Sequence, residues 1–177
     1  RAPNGKANYK WAKEEAEKQQ QLLQKASDRL SKYLSPQICE QIFSDVEFDT
    51  GTGRKKLTIF FSDIVNFTSI TESMEAEELS GFLNFYLTNM CEIALKYGGT
   101  IDKFIGDSVM IFFGDPQSQG LEKDALACCN MGLEMLAFVE KNEELFKEKF
   151  NFPEKLEIRI GVHSGVCSVG NFGSDQR

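Results

Sequence analysis

The chain has 177 residues, of which 41% are hydrophobic, and a formal net charge of −7. This length allows one domain with an appended segment, and no apolar run is long enough to span a bilayer. The acidic balance, without a basic patch, argues against a nucleic-acid partner. Five cysteines without a CxxC pair argue against a zinc site or a disulfide framework. We therefore expect a cytoplasmic domain with reduced thiols and no membrane contact of its own, either in a soluble protein or as the cytoplasmic part of a membrane-attached receptor.

Residues 1–47 predict a signalling segment made of a helix and a second, short helix. Eight residues between positions 9 and 33 recur at the alternating three- and four-residue spacing of a coiled-coil seam. The seam consists of Tyr9, Ala12, Ala16, Gln19, Leu23, Ala26, Leu30 and Tyr33. Its Ala and Gln members make the seam weak, and a solvated single helix is the alternative. Ser35 and Pro36 restart the helix as its N-cap and first residue. The N-terminus has neither Met nor a signal peptide, so we expect a piece of a longer chain with an upstream sensor.

Residues 48–177 predict an α+β domain whose elements follow the order βαββαβ. Strands are predicted at 57–62, 100–105, 108–113 and 156–163, with a short fifth at 167–169. Helices are predicted at 74–97 and at 121–141, with an extension of the second towards residue 150. This order is ferredoxin-like, with sheet order 4-1-3-2 and helices on one face. The first and third strands are then antiparallel neighbours, so the end of the first lies beside the start of the third.

Two acidic residues meet at that predicted edge, because Asp63 closes the first strand and Asp107 opens the third. Adjacent carboxylates repel each other unless a cation lies between them. Oxygen ligands favour Mg²⁺ or Mn²⁺ over zinc, and Mg²⁺ commonly combines one or two carboxylates with substrate phosphates. The turn from Ile64 to Thr68 leads towards a helix, and its backbone N–H groups could cradle phosphate oxygens. The sequence therefore predicts a site for a metal-bound polyphosphate.

Three stretches of the chain resemble motifs of the class III nucleotide cyclases. FSDIVNFT begins at Phe61 and resembles the first metal motif, DKFIGD begins at Asp102 and resembles the second, and RIGVHSG begins at Arg159 and resembles a later strand and turn. The resemblance covers about residues 54–177. One departure is Asn66, where the family often has Gly. Asn tolerates left-handed backbone angles, so we expect the turn to survive this difference.

The resemblance implies a bacterial-type adenylate cyclase that forms cyclic AMP and pyrophosphate from ATP. It implies two Mg²⁺ or Mn²⁺ ions per site, held by Asp63, Ile64 and Asp107, with the two acids as the catalytic residues. It also implies a homodimer in which one chain supplies the metal acids and the other contacts the base. Lys103 occupies the purine-contacting position, and a Lys can donate to adenine N1 but not to the N–H at guanine N1.

The turn residues Ile64, Asn66, Phe67 and Thr68 are the expected substrate-binding backbone. The family's transition-state Asn and Arg would follow Arg177. If the polypeptide ends there, we expect weak binding of the Mg²⁺–nucleotide complex and almost no cyclic AMP, since such charge-stabilising groups contribute roughly 10²–10³ in rate.

Three alternatives remain open from the sequence. A guanylate cyclase differs mainly in its base-reading residues. A diguanylate cyclase shares the two-metal site, but its Gly-Gly-Asp/Glu-Glu-Phe turn is absent, since Gly98-Gly99 is followed by Thr100. A catalytically silent partner half would dimerise without turnover, and the presence of both acids and Lys103 argues against it.

Overall fold

The computed structural model describes residues 9–30 and 53–170 of the chain. The chain divides into two compact units, Arg1–Phe48 and Asp49–Arg177. In the first unit, helix α1 spans Tyr9–Leu30. The predicted seam residues Tyr9 and Leu23 are exposed on this helix. The coiled coil therefore stays a prediction, and the predicted restart of the helix at Ser35 lies outside the described residues.

The second unit contains a four-stranded antiparallel sheet. Its strands are β1 (Gly53–Ile64), β2 (Thr100–Ile105), β3 (Ser108–Phe113) and β4 (Ile158–Val169). They lie in the order β2-β3-β1-β4, which is the predicted order 4-1-3-2 read from the other side. The predicted α+β, ferredoxin-like arrangement is thus confirmed, and β1 lies in the middle of the sheet with β3 on one side and β4 on the other.

Strand β4 corrects one expectation from the sequence. The sequence predicts a strand at 156–163 and a separate short strand at 167–169, and Gly165 between them favours strands poorly. The structure instead has one strand of 12 residues that pairs with β1 along its whole length. Continuous pairing with a central neighbour outweighs the low intrinsic propensity of Gly165.

Residues 53–170 of the second unit also form four helices. They are α2 (Phe67–Ser73), α3 (Ala76–Lys96), α4 (Leu121–Lys141) and α5 (Glu143–Phe150). The short helix α2 is not predicted by the sequence. Helix α5 is a separate helix rather than an extension of α4, because the helical conformation is interrupted at Asn142. Within the described ranges, none of the helices combines the length and hydrophobicity that a membrane span needs.

The helices pack on one face of the sheet, and burial alternates along β1 accordingly. Phe60 and Ile64 are buried on the helix side, whereas Phe61 is 42% exposed on the other side. Successive side chains of a strand point to opposite faces, so Asp63 lies on the same open face as Phe61. Tyr86 of α3 is fully buried within the core on the helix side. The two faces therefore differ, with a packed core on one and polar groups at the end of β1 on the other.

Candidate active site

Asp63 lies on the open face of the sheet, one residue before the end of β1. The register places Arg159 of β4 directly opposite it. The Arg159 guanidinium donates to both carboxylate oxygens, from Nε to Oδ1 at 3.1 Å and from Nη2 to Oδ2 at 2.7 Å. A two-pronged contact of this kind is the strong form of a carboxylate ion pair. The charge at this edge is therefore paired within the chain itself.

Asp107 occupies the tight turn between β2 and β3, after Gly106, which has a positive φ of 64°. Its Oδ2 accepts a hydrogen bond from the backbone N–H of Ile64 at 2.7 Å. Ile64 is the residue that follows Asp63, so the structure brings the second carboxylate to the end of the strand that carries the first. The two acids are 44 positions apart in the sequence, and the antiparallel pairing of β1 with β3 brings them to the same edge.

The turn after β1 has the left-handed residue that the sequence led us to expect. Asn66 has φ 57° and ψ 23°, and α2 begins at the next residue. Two N–H groups of the expected phosphate cradle are already engaged, because Ile64 donates to Asp107 and Val65 donates to the carbonyl of Glu157 at 2.9 Å. For Ile64 and Val65 this corrects the expectation that the N–H groups of the turn cradle phosphate oxygens. Ile64 keeps its backbone carbonyl as the group that it can offer.

Phe67 and Thr68 begin α2, where the first N–H groups of a helix have no partner within the helix. Phe67 is half-buried against the core, whereas Thr68 is exposed. Of the expected substrate-binding residues in the turn, the two at the start of α2 are thus the ones whose N–H groups lie where a phosphate could accept from them.

A groove of about 290 Å³ opens beside Asp63. It is lined by Phe61, Ser62, Asp63, Ser108, Arg159, Ile160 and Gly161. Ligand pockets usually enclose about 300–1,000 Å³, so this groove lies at the lower limit of the range. It has the size of part of a nucleotide site rather than of a complete one.

Lys103 lies on β2 opposite Met110, and Met110 lies opposite Phe61. The three residues form a row across the open face, so Lys103 shares that face with Asp63 but lies two strands away. Strand spacing and rise place the two Cα atoms about 12 Å apart. The Lys103 side chain is exposed and lies 3.3 Å from Asp102 Oδ2. The structure therefore does not bring Lys103 together with the two acids.

The two acids supply oxygen ligands of the kind that the implied metal ions require. Within residues 9–30 and 53–170, no group of three or more His, Cys, Asp or Glu side chains gathers in a way that could hold a metal. Mg²⁺ does not need such a group, because it often binds through one or two carboxylates and completes its shell with substrate phosphates and water. Two carboxylates and the Ile64 carbonyl fit Mg²⁺ or Mn²⁺ as all-oxygen donors, and they do not fit zinc.

Arg159, Tyr86 and Ser62 are residues at this edge whose part sequence reasoning missed. The sequence motif indicates only that Arg159 lies in a strand, because its pairing with Asp63 depends on the register of residues 96 positions apart. Tyr86 fits the apolar side of the helix predicted at 74–97, and that pattern indicates only a core position. Burial raises the pKa of the Tyr86 phenol, the hydroxyl of Ser62 opposes that rise, and the charges of Asp107 and Asp63 add to it. The buried phenol therefore lies within electrostatic reach of both acids.

Comparisons with known proteins identify what this arrangement is similar to. A family model described as the adenylate and guanylate cyclase catalytic domain matches residues 52–177. The adenylyl cyclase CyaB from P. aeruginosa is 53% identical with a TM-score of 0.69, and the match covers 72% of this chain and 64% of that one. The guanylyl cyclase Cya2 is 36% identical with a TM-score of 0.65, covering 72% of this chain and 62% of that one.

Among curated relatives, an adenylate cyclase of Anabaena cylindrica is 32% identical over 140 residues, which is 79% of this chain. The chain spans 27% of the length of that relative and less than two thirds of each of the two solved chains. Relatives named for adenylate and for guanylate both match, so the base preference of this chain has to be argued from its own residues.

Proposed function

Because the chain belongs to the family of adenylate and guanylate cyclase catalytic domains, the class III nucleotide cyclases, we propose that it converts ATP into 3′,5′-cyclic AMP and pyrophosphate. The observation that carries the proposal is the meeting of Asp63 and Asp107 at one sheet edge, where Asp107 accepts the N–H of Ile64. Carboxylates, a neighbouring guanidinium and a helix start together supply the groups that bind a metal-chelated triphosphate.

Asp63, Asp107 and the backbone carbonyl of Ile64 are the groups that would hold two Mg²⁺ or Mn²⁺ ions. Such ions, when bound, activate a hydroxyl nucleophile and neutralise the charge of the triphosphate. The chain's own contribution is to fix the ligands in place. The Ile64 N–H orients one oxygen of Asp107, and the register with β4 holds Asp63 at the rim of the groove.

Arg159 and the start of α2 would bind the phosphates. The Arg159 guanidinium already lies in the groove and is exposed, so it can exchange the Asp63 carboxylate for phosphate oxygens of similar geometry. The left-handed backbone of Asn66 turns the chain after the end of β1 and lets α2 begin at Phe67. The N–H groups of Phe67 and Thr68, which have no partner within the helix, therefore follow Asp63 by only a few residues.

Lys103 supports ATP as the substrate. An ammonium group donates hydrogen bonds and accepts none, so it suits the acceptor N1 of adenine and not the N–H at N1 of guanine. Its only ion-pair partner among the described residues is its neighbour Asp102, which leaves the side chain available to a base. A guanylate cyclase is the second candidate, because the guanylyl cyclase Cya2 is 36% identical to this chain.

A site shared between two copies of the chain is supported by two features. The groove beside Asp63 has a volume of about 290 Å³, at the small end for a nucleotide. Lys103 lies about 12 Å from Asp63 across the sheet by strand spacing, with its side chain exposed on the open face. A second copy packed against this open face would complete the groove with its own base-reading side chain. The proposed assembly is therefore a homodimer, joined to an upstream sensor through residues 1–47.

Turnover with ATP and with GTP tests the proposal. We expect ATP to be the better substrate, and Asp63→Asn or Asp107→Asn to lower turnover by at least about 10²-fold, as loss of a charge-stabilising group does. Glu148→Gln, which changes an exposed acid of α5, is the matched control and should leave turnover unchanged.

Lys103→Glu should lower kcat/KM for ATP by at least about tenfold, because a hydrogen bond from a charged group contributes roughly 1.5–3 kcal/mol. Full activity after loss of either acid would contradict the metal assignment. A preference of the unaltered protein for GTP would contradict the assignment of the base and favour the guanylate cyclase.

A further inference from the structure

A pair of buried hydroxyl groups lies directly beneath the proposed metal edge. Ser62 precedes Asp63 in β1 and points to the opposite face, where it is 2% exposed, and Tyr86 of α3 is fully buried. Neither hydroxyl forms a hydrogen bond of ordinary geometry with any described residue. The two hydroxyls nevertheless lie close together, since the Ser62 hydroxyl acts on the pKa of the Tyr86 phenol.

Packing alone does not account for these hydroxyls. The surrounding core is apolar, and Phe82 stacks with the Tyr86 ring at a centroid distance of 5.9 Å. A Phe at position 86 and an Ala at position 62 would fill the same space without burying a polar group that lacks a partner, which carries a free-energy cost. Buried polar groups without partners are rare in native proteins, and each one calls for an explanation such as strain, a role in the chemistry of a site, or a bound water or ion.

Ser62 immediately precedes Asp63 in β1, so its buried hydroxyl lies on the helix side of the strand end that carries the acid. Asp107 and Asp63 both raise the pKa of the Tyr86 phenol, so both carboxylates lie within its electrostatic range. One oxygen of Asp107 is taken by the Ile64 N–H. Metal-binding carboxylates are usually held by further hydrogen bonds through the oxygen that does not face the ion, and those partners affect metal affinity strongly.

We propose that Tyr86 and Ser62 are positioning residues for the metal edge: their hydroxyls supply hydrogen bonds that hold Asp107 and the end of β1 in the geometry that accepts a divalent ion. The inference rests on the proposed function, because it requires Asp63 and Asp107 to bind metal. It assigns no contact between either hydroxyl and the nucleotide. Without metal the two hydroxyls make no hydrogen bond of ordinary geometry with any residue that the structure describes. Their removal should therefore leave the stability of the metal-free fold nearly unchanged or raise it.

The test compares Mn²⁺ binding to the 177-residue chain, measured by calorimetry, with its thermal unfolding in the absence of metal. Tyr86→Phe and Ser62→Ala should each weaken Mn²⁺ binding about tenfold or more, as loss of a hydrogen-bond partner of a metal ligand does. Their unfolding midpoints should be unchanged or higher. The double variant should lose less than the product of the single losses, because the hydroxyls act as a unit.

Tyr97→Phe is the matched control. It removes a tyrosine hydroxyl that follows the same helix but donates to Glu134 at 2.7 Å on the surface, so it should leave Mn²⁺ affinity unchanged. Lower unfolding midpoints with wild-type Mn²⁺ affinity in both variants would overturn the inference and show a purely structural role. Asp107→Asn should abolish Mn²⁺ binding. If the unaltered chain also binds no Mn²⁺, the proposed metal site is wrong, and the inference is wrong with it.

Discussion

Replacing Arg159 by Gln should have opposite effects on a metal ion alone and on a metal–nucleotide complex. Arg159 pairs with Asp63 through two hydrogen bonds of 3.1 and 2.7 Å, and so it competes with any cation for that carboxylate. The side chains are 67% and 37% exposed, and ion pairs this open to solvent contribute about 0.2–1 kcal/mol. Removing the pair should therefore cost at most about 1 kcal/mol of stability and strengthen binding of Mn²⁺ alone by up to about fivefold.

Binding of the metal–nucleotide complex should change in the other direction. If Arg159 exchanges Asp63 for phosphate oxygens, the variant loses a charge-assisted hydrogen bond worth roughly 1.5–3 kcal/mol. That loss exceeds the gain at the metal by roughly 0.5–2.8 kcal/mol, so affinity for the Mn²⁺ complex of a non-cyclisable ATP analogue should fall by about twofold to a hundredfold.

Calorimetric titrations of Mn²⁺ alone and of the Mn²⁺–analogue complex measure both effects in one variant. Arg54→Gln is the matched control, because Arg54 lies opposite Ser168 at the far end of β1, about 30 Å from Asp63 by strand rise. Higher salt should reduce the gain in Mn²⁺ affinity, since it screens the exposed pair. Weaker binding of Mn²⁺ alone in the variant would refute the reasoning, because it would mean that Arg159 helps to hold the metal.

Three further predictions concern the rest of the domain. An inactive chain carrying Lys103→Ala and an inactive chain carrying Asp107→Ala should recover activity when they form heterodimers, because each heterodimer then has one site with both residues intact. Heterodimers without activity would indicate that each site is built within one chain. Gly99→Ala places a methyl 2.8 Å from a β3 side-chain atom and should cost about 1–3 kcal/mol in chemical denaturation, whereas Gly53→Ala meets open space and should be neutral. Burial raises the pKa of the Cys128 thiol to about 12, from 9.0, so the folded state keeps the proton longer and stability should fall as pH rises from about 9 towards 12.

The hairpin and the order of the sheet could be predicted because their signals are local. Gly106 and Asp107 between two apolar runs mark a tight turn, and β2 and β3 begin and end where that reading puts them. The order of strands and helices along the chain then determines which strands can be neighbours. Asn66 is similar, because a left-handed turn residue is a property of one position, and the structure has it there.

The parts that could not be predicted depend on pairing over long separations. Nothing near Arg159 indicates that it lies opposite Asp63, because that requires the register of β4 against β1. The same register carries β4 through Gly165, which lies in the predicted gap between the strand at 156–163 and the strand at 167–169. The part of the Tyr86 hydroxyl could not be predicted for another reason. Helical periodicity identifies a buried position but does not show which polar atoms lie beside it.

The charges at the end of β1 make metal and nucleotide binding depend on each other. Asp63 and Asp107 with Arg159 leave this edge with one net negative charge. Binding of two divalent ions alone makes the net charge of this edge positive and leaves the Arg159 guanidinium without its Asp63 partner. A triphosphate bound together with the ions offsets that positive charge and gives Arg159 a new hydrogen-bond acceptor. Each ligand should thus bind more tightly in the presence of the other, and by the same factor, because coupling between binding free energies is reciprocal. Since Arg159 changes partner between the two states, the Gln variant should reduce this factor, whereas a site in which Arg159 only stabilises β1 against β4 would keep it unchanged.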